Sequence, residues 1–334
     1  MEFDKIGGLD SHRHEREAGR LVYPVFSRRS GGLSLGINLF PEAKRCSFDC
    51  PYCEVFPLEA EGPARHLAES PQALMEELEG ELRRFSEEFS RRPPDERPAI
   101  RDIALSGNGE PSLSPFLEEA LALCARERRR NPGIFGGTDI VLITNSTGFL
   151  DPDVVEVLHR CVREEGLVVW AKLDAGDQGL FERMTRSDFS LAEIVSGIEA
   201  FARRSPVVIQ TMLCALAEPR APGSGEAEDK SAIPGIVLRP PAPSQLEAYA
   251  DILASLVSGG AKISEFHLYT KSRPSPESVT GPIPDDELRA MADLVHRRLP
   301  DSVATIPFRV FGHSGELRSP LSATLSGDAR ASAR

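Results

Sequence analysis

The chain has 334 residues, 40% of them hydrophobic, and a formal net charge of −12. That length suits one α/β barrel domain or two smaller domains, with enough apolar content for a core. The acidic balance argues against a large nucleic-acid footprint, which needs basic surface to displace counterions, and no apolar run approaches the ~18 residues of a membrane-spanning helix.

The first stretch, Met1 to Arg20, is polar and charged without an apolar core, so it reads as a flexible N-terminus and not as a secretory signal. A cytoplasmic setting, in which thiols stay reduced, is the expectation. Leu21 to Phe26 predicts a short strand, and Leu33 to Phe40 the first strand of a barrel. Ser70-Pro71 opens a helix, a capping residue followed by proline at the first helical position. Leu74, Leu78, Leu82, Phe85 and Phe89 continue it as an apolar stripe at helical spacing. Strand and helix then alternate. Strands are expected at 102–106, 139–145, 167–174, 207–214, 265–270 and 306–311, with helices from Ser114, from Asp151, and over 191–203, 244–258 and 285–299. Residues 218–243, rich in Pro, Gly, Ala and charge, read as a long insertion or lid. The small, polar end of the chain, 313–334, reads as a disordered tail. Such alternation implies parallel strands joined by right-handed crossovers, and no dinucleotide fingerprint follows the first strand. The expected domain therefore spans 21–312.

Three of the six cysteines, Cys46, Cys50 and Cys53, fall in one C-x3-C-x2-C stretch on the loop after the first barrel strand. Thiolates are soft ligands suited to zinc or iron–sulfur clusters. A closed zinc site or a four-iron cluster wants four protein ligands, and this stretch offers three, which leaves one position for a small molecule. The competing readings are a zinc knuckle completed by His66, or a non-catalytic iron–sulfur module. Disulfides are disfavoured by the spacing and the setting. Cys124 and Cys161 lie on apolar helix faces and read as core.

The same stretch, with Tyr52 directly before the last cysteine, resembles the signature of the radical S-adenosylmethionine superfamily. The resemblance implies that Cys46, Cys50 and Cys53 hold a [4Fe-4S] cluster whose fourth iron is chelated by S-adenosylmethionine, with Tyr52 near the adenine. It also implies a partial (β/α)6 TIM-like barrel of parallel strands. The activity it implies is reductive cleavage of S-adenosylmethionine to a 5′-deoxyadenosyl radical that abstracts hydrogen from a substrate. A flavodoxin- or ferredoxin-type electron donor goes with that activity. Tyr23 to Arg29, Gly32 to Leu39, Gly107-Asn108-Gly109-Glu110-Pro111-Ser112, Lys172-Leu173-Asp174-Ala175 and Leu268 to Pro274 look like one bacterial subgroup often labelled Fe–S oxidoreductases. That subgroup is similar to the wyosine-synthesising enzymes of tRNA, and the likeness covers roughly residues 20–300. The wyosine enzymes use an additional cluster. This chain has no second compact cysteine motif and is acidic, so a small-molecule, peptide or protein substrate is expected ahead of tRNA.

In α/β barrels the chemistry sits at the C-terminal ends of the strands. The second strand ends in Gly107-Asn108-Gly109-Glu110, similar to the family's glycine-glycine-glutamate motif for the amino group of S-adenosylmethionine, with Asn108 in place of the first glycine. The third ends in Thr144-Asn145-Ser146-Thr147-Gly148, and Asn145 is the expected cofactor contact. On the fourth, alternation puts Trp170, Lys172 and Asp174 on one side. Lys172 and Asp174 are candidates for the carboxylate and ribose of S-adenosylmethionine, for a structural ion pair or, at Lys172, for a Schiff base. Cys214 on the fifth strand and Tyr269 on the sixth join Lys172 as catalytic candidates, and Arg273 is a further substrate contact.

Overall fold

A computed structural model describes residues 19–41, 43–55, 71–220 and 236–317. Most of the N-terminal stretch, His66, the middle of the 218–243 insertion and nearly all of the tail lie outside the described residues. The chain divides into two compact units, Met1–Ser47 with Glu54–Trp170, and Phe48–Cys53 with Ala171–Arg334.

In the first unit the strands run in the order β1-β2-β3-β4. Strand β1 (Val22–Ser27) pairs antiparallel with β2 (Gly32–Asn38). Strand β2 is parallel to β3 (Ile100–Ser106), and β3 to β4 (Asp139–Thr144). Helix α1 (Pro71–Arg91) lies between β2 and β3 in the chain, and α2 (Leu117–Arg130) between β3 and β4. The predicted stripe on α1 is the buried face, with all five residues at most 4% exposed. Helix α3 (Pro152–Glu165) is delimited by local chemistry. The Asp151 side chain accepts from the Asp153 and Val154 N–H groups at one end, and left-handed Gly166 ends the other.

In the second unit β6 (Val207–Leu213), β9 (Ile263–Thr270) and β11 (Phe308–Gly312) are parallel neighbours. Every residue of β6 is buried, as a parallel strand covered on both faces requires. Helices α4 (Gln178–Thr185) and α5 (Leu191–Ala202) precede β6, α6 (Pro243–Ser258) leads to β9, and α7 (Asp285–Arg298) leads to β11. Strand β5 (Leu167–Lys172) begins in the first unit and ends in the second. Repeated parallel strands with crossover helices put the chain in the α/β class of partial TIM-like barrels expected from the sequence.

Five elements go beyond that expectation. Helix α4 has only eight residues and a glycine inside, and Asp177 caps it by accepting from the Leu180 N–H. A three-stranded antiparallel sheet in the order β10-β7-β8 is made of β7 (Ala215–Pro219), β8 (Ile236–Arg239) and β10 (Thr280–Gly281). The flanks of the 218–243 segment are therefore strand, and only its middle lies outside the described residues. Strand β12 (Gly315–Leu317) pairs with β11, so ordered pairing runs past residue 312 to Leu317. Very short strands carry too little alternation to be read from sequence.

Candidate active site

The first unit builds one cluster at the ends of β3 and β4. Backbone bonds stitch the segment before Cys46 to the glycine motif: Arg45 N–H donates to Asn108 O at 3.0 Å, and Glu110 N–H donates to Arg45 O at 2.8 Å. Glycine is required here for two reasons. Gly107 has φ +115°, and a Cβ on Gly109 would sit 1.9 Å from Arg45 O. The close approach that the glycines permit is thus made by the chain's own cysteine loop. Asn38 fixes the other side, its Oδ1 accepting from the Asn108 N–H at 3.1 Å.

Glu110 is buried, 2% exposed. Its Oε1 accepts from Thr144 Oγ1 at 2.7 Å and from Ser112 N–H at 3.1 Å, and its Oε2 accepts from Asn145 N–H at 2.6 Å. Burial raises the carboxyl pKa above the ordinary range, against these donors, which favour the ionised form. Asn145, held by that bond, turns its side chain to the first cysteine: Nδ2 donates to Cys46 Sγ at 3.6 Å and to Ser47 Oγ at 2.8 Å. Ser47 and Thr147 share a hydroxyl hydrogen bond of 2.8 Å. Asn108 Nδ2 is a buried polar atom with no hydrogen-bond partner among the described residues. Buried polar atoms of that kind are what a bound polar ligand would satisfy.

The second unit builds another cluster around Asp174, 4% exposed. Its Oδ1 accepts from Met212 N–H at 2.8 Å and its Oδ2 accepts from the Tyr52 hydroxyl. Lys172 Nζ lies 3.1 Å from Oδ2, donates to Tyr269 Oη at 2.8 Å, and stands 5.3 Å from the centroid of each of the Tyr52 and Tyr269 rings. Burial alone would lower the lysine pKa, but the neighbouring Asp174 carboxylate and Tyr269 hold it above the ordinary lysine range. Burial and the same carboxylate raise the Tyr52 phenol. Burial also pushes the Cys50 thiol well up, opposed by Tyr52 and by the charge of Lys172.

The structure therefore brings Gly107, Asn108, Gly109, Glu110 and Asn145 together with Cys46, and Tyr52, Lys172, Asp174 and Tyr269 together in the vicinity of Cys50. Cys214 is fully buried, its Sγ 3.8 Å from Met184 Sδ, and its thiol is pushed up to about 12 by burial first and by the Asp174 carboxylate, against the charges of Lys271 and Lys172. The residues that sequence reading passed over are Ser47, Thr144 and Thr147. Thr144 had a usable signal, as the last residue of a strand whose neighbour Asn145 was already singled out.

Cys46, Cys50 and Cys53 carry no disulfide and are partly exposed, whereas Cys124, Cys161 and Cys214 are buried. Among the described residues no group of three or more His, Cys, Asp or Glu side chains is gathered closely enough to hold a metal ion. The donor set itself, three unbridged soft thiols on one loop with an amide donor on one of them, fits an iron–sulfur cluster. No helix among the described residues is long and apolar enough to cross a membrane.

No protein-family profile matches the chain. It is similar to UPF0026 proteins. The similarity is 27% identity over 183 residues to that of Helicobacter pylori, covering 54% of this chain and 51% of the relative. For the UPF0026 protein of Synechocystis it is 29% over 57% of this chain and 63% of the relative, and for that of Methanocaldococcus jannaschii 28% over 57% and 52%. The chain spans about half the length of the Helicobacter relative it matches. Among solved structures, one of TYW1 with a lysine-pyruvate adduct bound aligns at TM-score 0.47 and 15% identity, covering 80% of this chain and 74% of the other. One of Streptococcus suis SuiB bound to S-adenosylmethionine aligns at TM-score 0.48 and 13% identity, covering 90% and 52%.

Proposed function

We propose that this chain is a radical S-adenosylmethionine enzyme. In this reading Cys46, Cys50 and Cys53 hold a [4Fe-4S] cluster. Gly107 to Glu110, Asn145, Tyr52, Lys172 and Asp174 bind S-adenosylmethionine. The observation that carries it is the hydrogen bond from Asn145 Nδ2 to Cys46 Sγ, made by an asparagine that Glu110 holds in place. It joins Cys46, the glycine motif and the end of β4 in one hydrogen-bonded group, and an N–H donor on a cluster thiolate is one of the levers that set its potential. When bound, the cluster would supply the electron that splits the C5′–sulfur bond of S-adenosylmethionine, giving methionine and the radical that takes hydrogen from substrate.

The chain's own residues supply orientation and charge. Glu110 fixes the end of β4, so that Asn145 faces the loop. Asp174 keeps Lys172 protonated, so Lys172 acts as a fixed cation toward an anionic group such as a carboxylate. A Schiff base at Lys172 would first require loss of a proton that Asp174 and Tyr269 oppose. Tyr269, whose hydroxyl oxygen accepts from the Lys172 ammonium, is the candidate for substrate contact. We assign the substrate to small molecules, peptides or proteins, because a net charge of −12 is unfavourable for tRNA. A flavodoxin- or ferredoxin-type donor in the cytoplasm would provide the electron.

The test is anaerobic reconstitution with iron and sulfide, reduction, and assay of 5′-deoxyadenosine beside an iron count. About four irons per chain with 5′-deoxyadenosine release, both lost in the Cys46/Cys50/Cys53 triple alanine variant, is the expected result. Full cluster content and cleavage in Cys50→Ala, or stoichiometric zinc in a colourless protein, would overturn the assignment.

A further inference from the structure

Arg186 caps helix α4 in a conformation that costs it energy. Its φ and ψ are 47° and 45°, in the left-handed region where glycine is the usual occupant. An arginine kept at such a position needs a return for the strain. The return lies in its side chain, which makes a bidentate pair with Glu277, both Nη–Oε distances being 2.7 Å. Glu277 is itself on a fixed support. The ammonium of Lys271, 6% exposed, donates to Ser275 Oγ at 2.6 Å and to Thr280 Oγ1 at 2.9 Å, and Ser275 Oγ donates on to Glu277 O at 2.9 Å.

The same helix end carries the cysteine loop. Asp49 N–H donates to Thr185 O at 2.8 Å, the carbonyl directly before Arg186. The Phe48 ring meets Phe181 of α4 edge-on at 5.8 Å and Phe189 at 6.5 Å. Arg186 Nη1 lies 3.9 Å from Asp49 Oδ2. Its guanidinium thus reaches the loop that contains Cys50 and, two residues on, Tyr52.

We propose that Arg186 is a positioning residue for the cysteine loop. Clamped by Glu277, it fixes the helix end on which Phe48 and Asp49 rest, and it adds a positive charge beside the loop. The role in loop geometry stands by itself. The consequence for a cluster rests on the reading proposed above: a fixed cation near the thiolates favours the more negative, reduced state and raises the reduction potential.

The test uses the full chain and the variants Arg186→Gly, Arg186→Lys and Glu277→Gln. Glycine accepts the left-handed backbone, so Arg186→Gly folds at least as stably as wild type by urea unfolding. In the metal-free protein, hydrogen exchange of the 46–53 segment is expected to rise about threefold to fivefold in Arg186→Gly and in Glu277→Gln, the factor set by losing one well-formed surface pair. In the iron-loaded protein, Arg186→Gly moves the reduction potential to a more negative value, Glu277→Gln to a more positive one, and Arg186→Lys restores it toward wild type. Unchanged exchange of 46–53 in Arg186→Gly overturns the proposal, as does a potential that Arg186→Gly and Glu277→Gln shift in the same direction. If no protein, wild type included, takes up iron while exchange responds as stated, the cluster reading falls and the positioning role of Arg186 is upheld.

Discussion

Glu110→Gln tests whether the buried carboxylate holds the end of β4. The two oxygens accept from three donors, two of them backbone N–H groups on opposite sides: Ser112 at 3.1 Å on Oε1 and Asn145 at 2.6 Å on Oε2. A carboxylate can serve both because it is acceptor on both oxygens, whereas glutamine offers one acceptor and one NH2. Whichever way the amide turns, one backbone N–H faces a donor. Leaving one buried donor unpaired costs about 1–3 kcal/mol. Neutralising the side chain relieves part of the burial penalty that raises the Glu110 pKa, so the expected loss is near ~1 kcal/mol. Glu110→Ala strands both N–H groups and loses roughly twice as much. Equilibrium urea unfolding at neutral pH reads the effect through Trp170, the only tryptophan, which lies in the same unit as Glu110. A glutamine variant as stable as wild type, or more stable, would refute the claim that these oxygens are committed acceptors. So would an alanine variant no worse than the glutamine one.

The Asp174 cluster gives further predictions. Asp174→Ala leaves the Lys172 ammonium buried without its counter-charge and should cost about 3–5 kcal/mol in the same unfolding assay, with Asp174→Asn costing less. Because Lys172 has a pKa raised above its unfolded value, its contribution is complete below the ordinary lysine range near ~10.4 and is lost as pH rises through that range and beyond. Unfolding measured across alkaline pH should therefore steepen in wild type and flatten in Lys172→Met. Burial holds Tyr52 and Tyr249 above the ordinary phenol, so ultraviolet titration of the folded protein should show both un-ionised near pH ~10, where free phenols titrate. Burial pushes the Cys124 thiol up to about 12 and the Cys161 thiol to about 11. Together with Cys214 they should resist alkylation until the chain unfolds, while Cys46 and Cys53 react in the folded protein, as peptide mapping would show.

Much of the fold was legible because two periods recur along the chain. The stripe from Leu74 to Phe89, the nearly continuous apolar run at 139–144 and the strand expected at 207–214 each point to one kind of element, and each forms it. Capping chemistry placed starts well, as at Asp151-Pro152. The elements that escaped, α4, β7, β8, β10 and β12, are short, and they are held by partners distant in sequence, as β7 is by β8 and β10. Within the candidate site, alternation alone placed Lys172 and Asp174 together, since residues two apart on a strand share a side. It could not show that Tyr269 would meet Lys172, because that contact joins residues 97 apart. Nor could it show that Asp174 also accepts from the Met212 N–H, which makes one carboxylate both an ion-pair partner and a backbone tie.

That double use matters for reading mutants of this chain. Glu110 and Asp174 are both residues that a motif comparison assigns to cofactor contact, and both are already engaged by the protein's own donors. Loss of activity in Glu110→Ala or Asp174→Ala would follow from collapse of a strand end as readily as from loss of a ligand contact. The separating measurement is binding of S-adenosylmethionine to variants matched for stability. Asn108→Ala is the better probe, because its Nδ2 is buried and makes no hydrogen bond among the described residues. Its removal costs the fold little on that account, since no internal bond is broken. If that amide points to the cofactor, Asn108→Ala weakens S-adenosylmethionine binding with stability near wild type. If stability falls while binding holds, the amide serves the fold and not the proposed cofactor site.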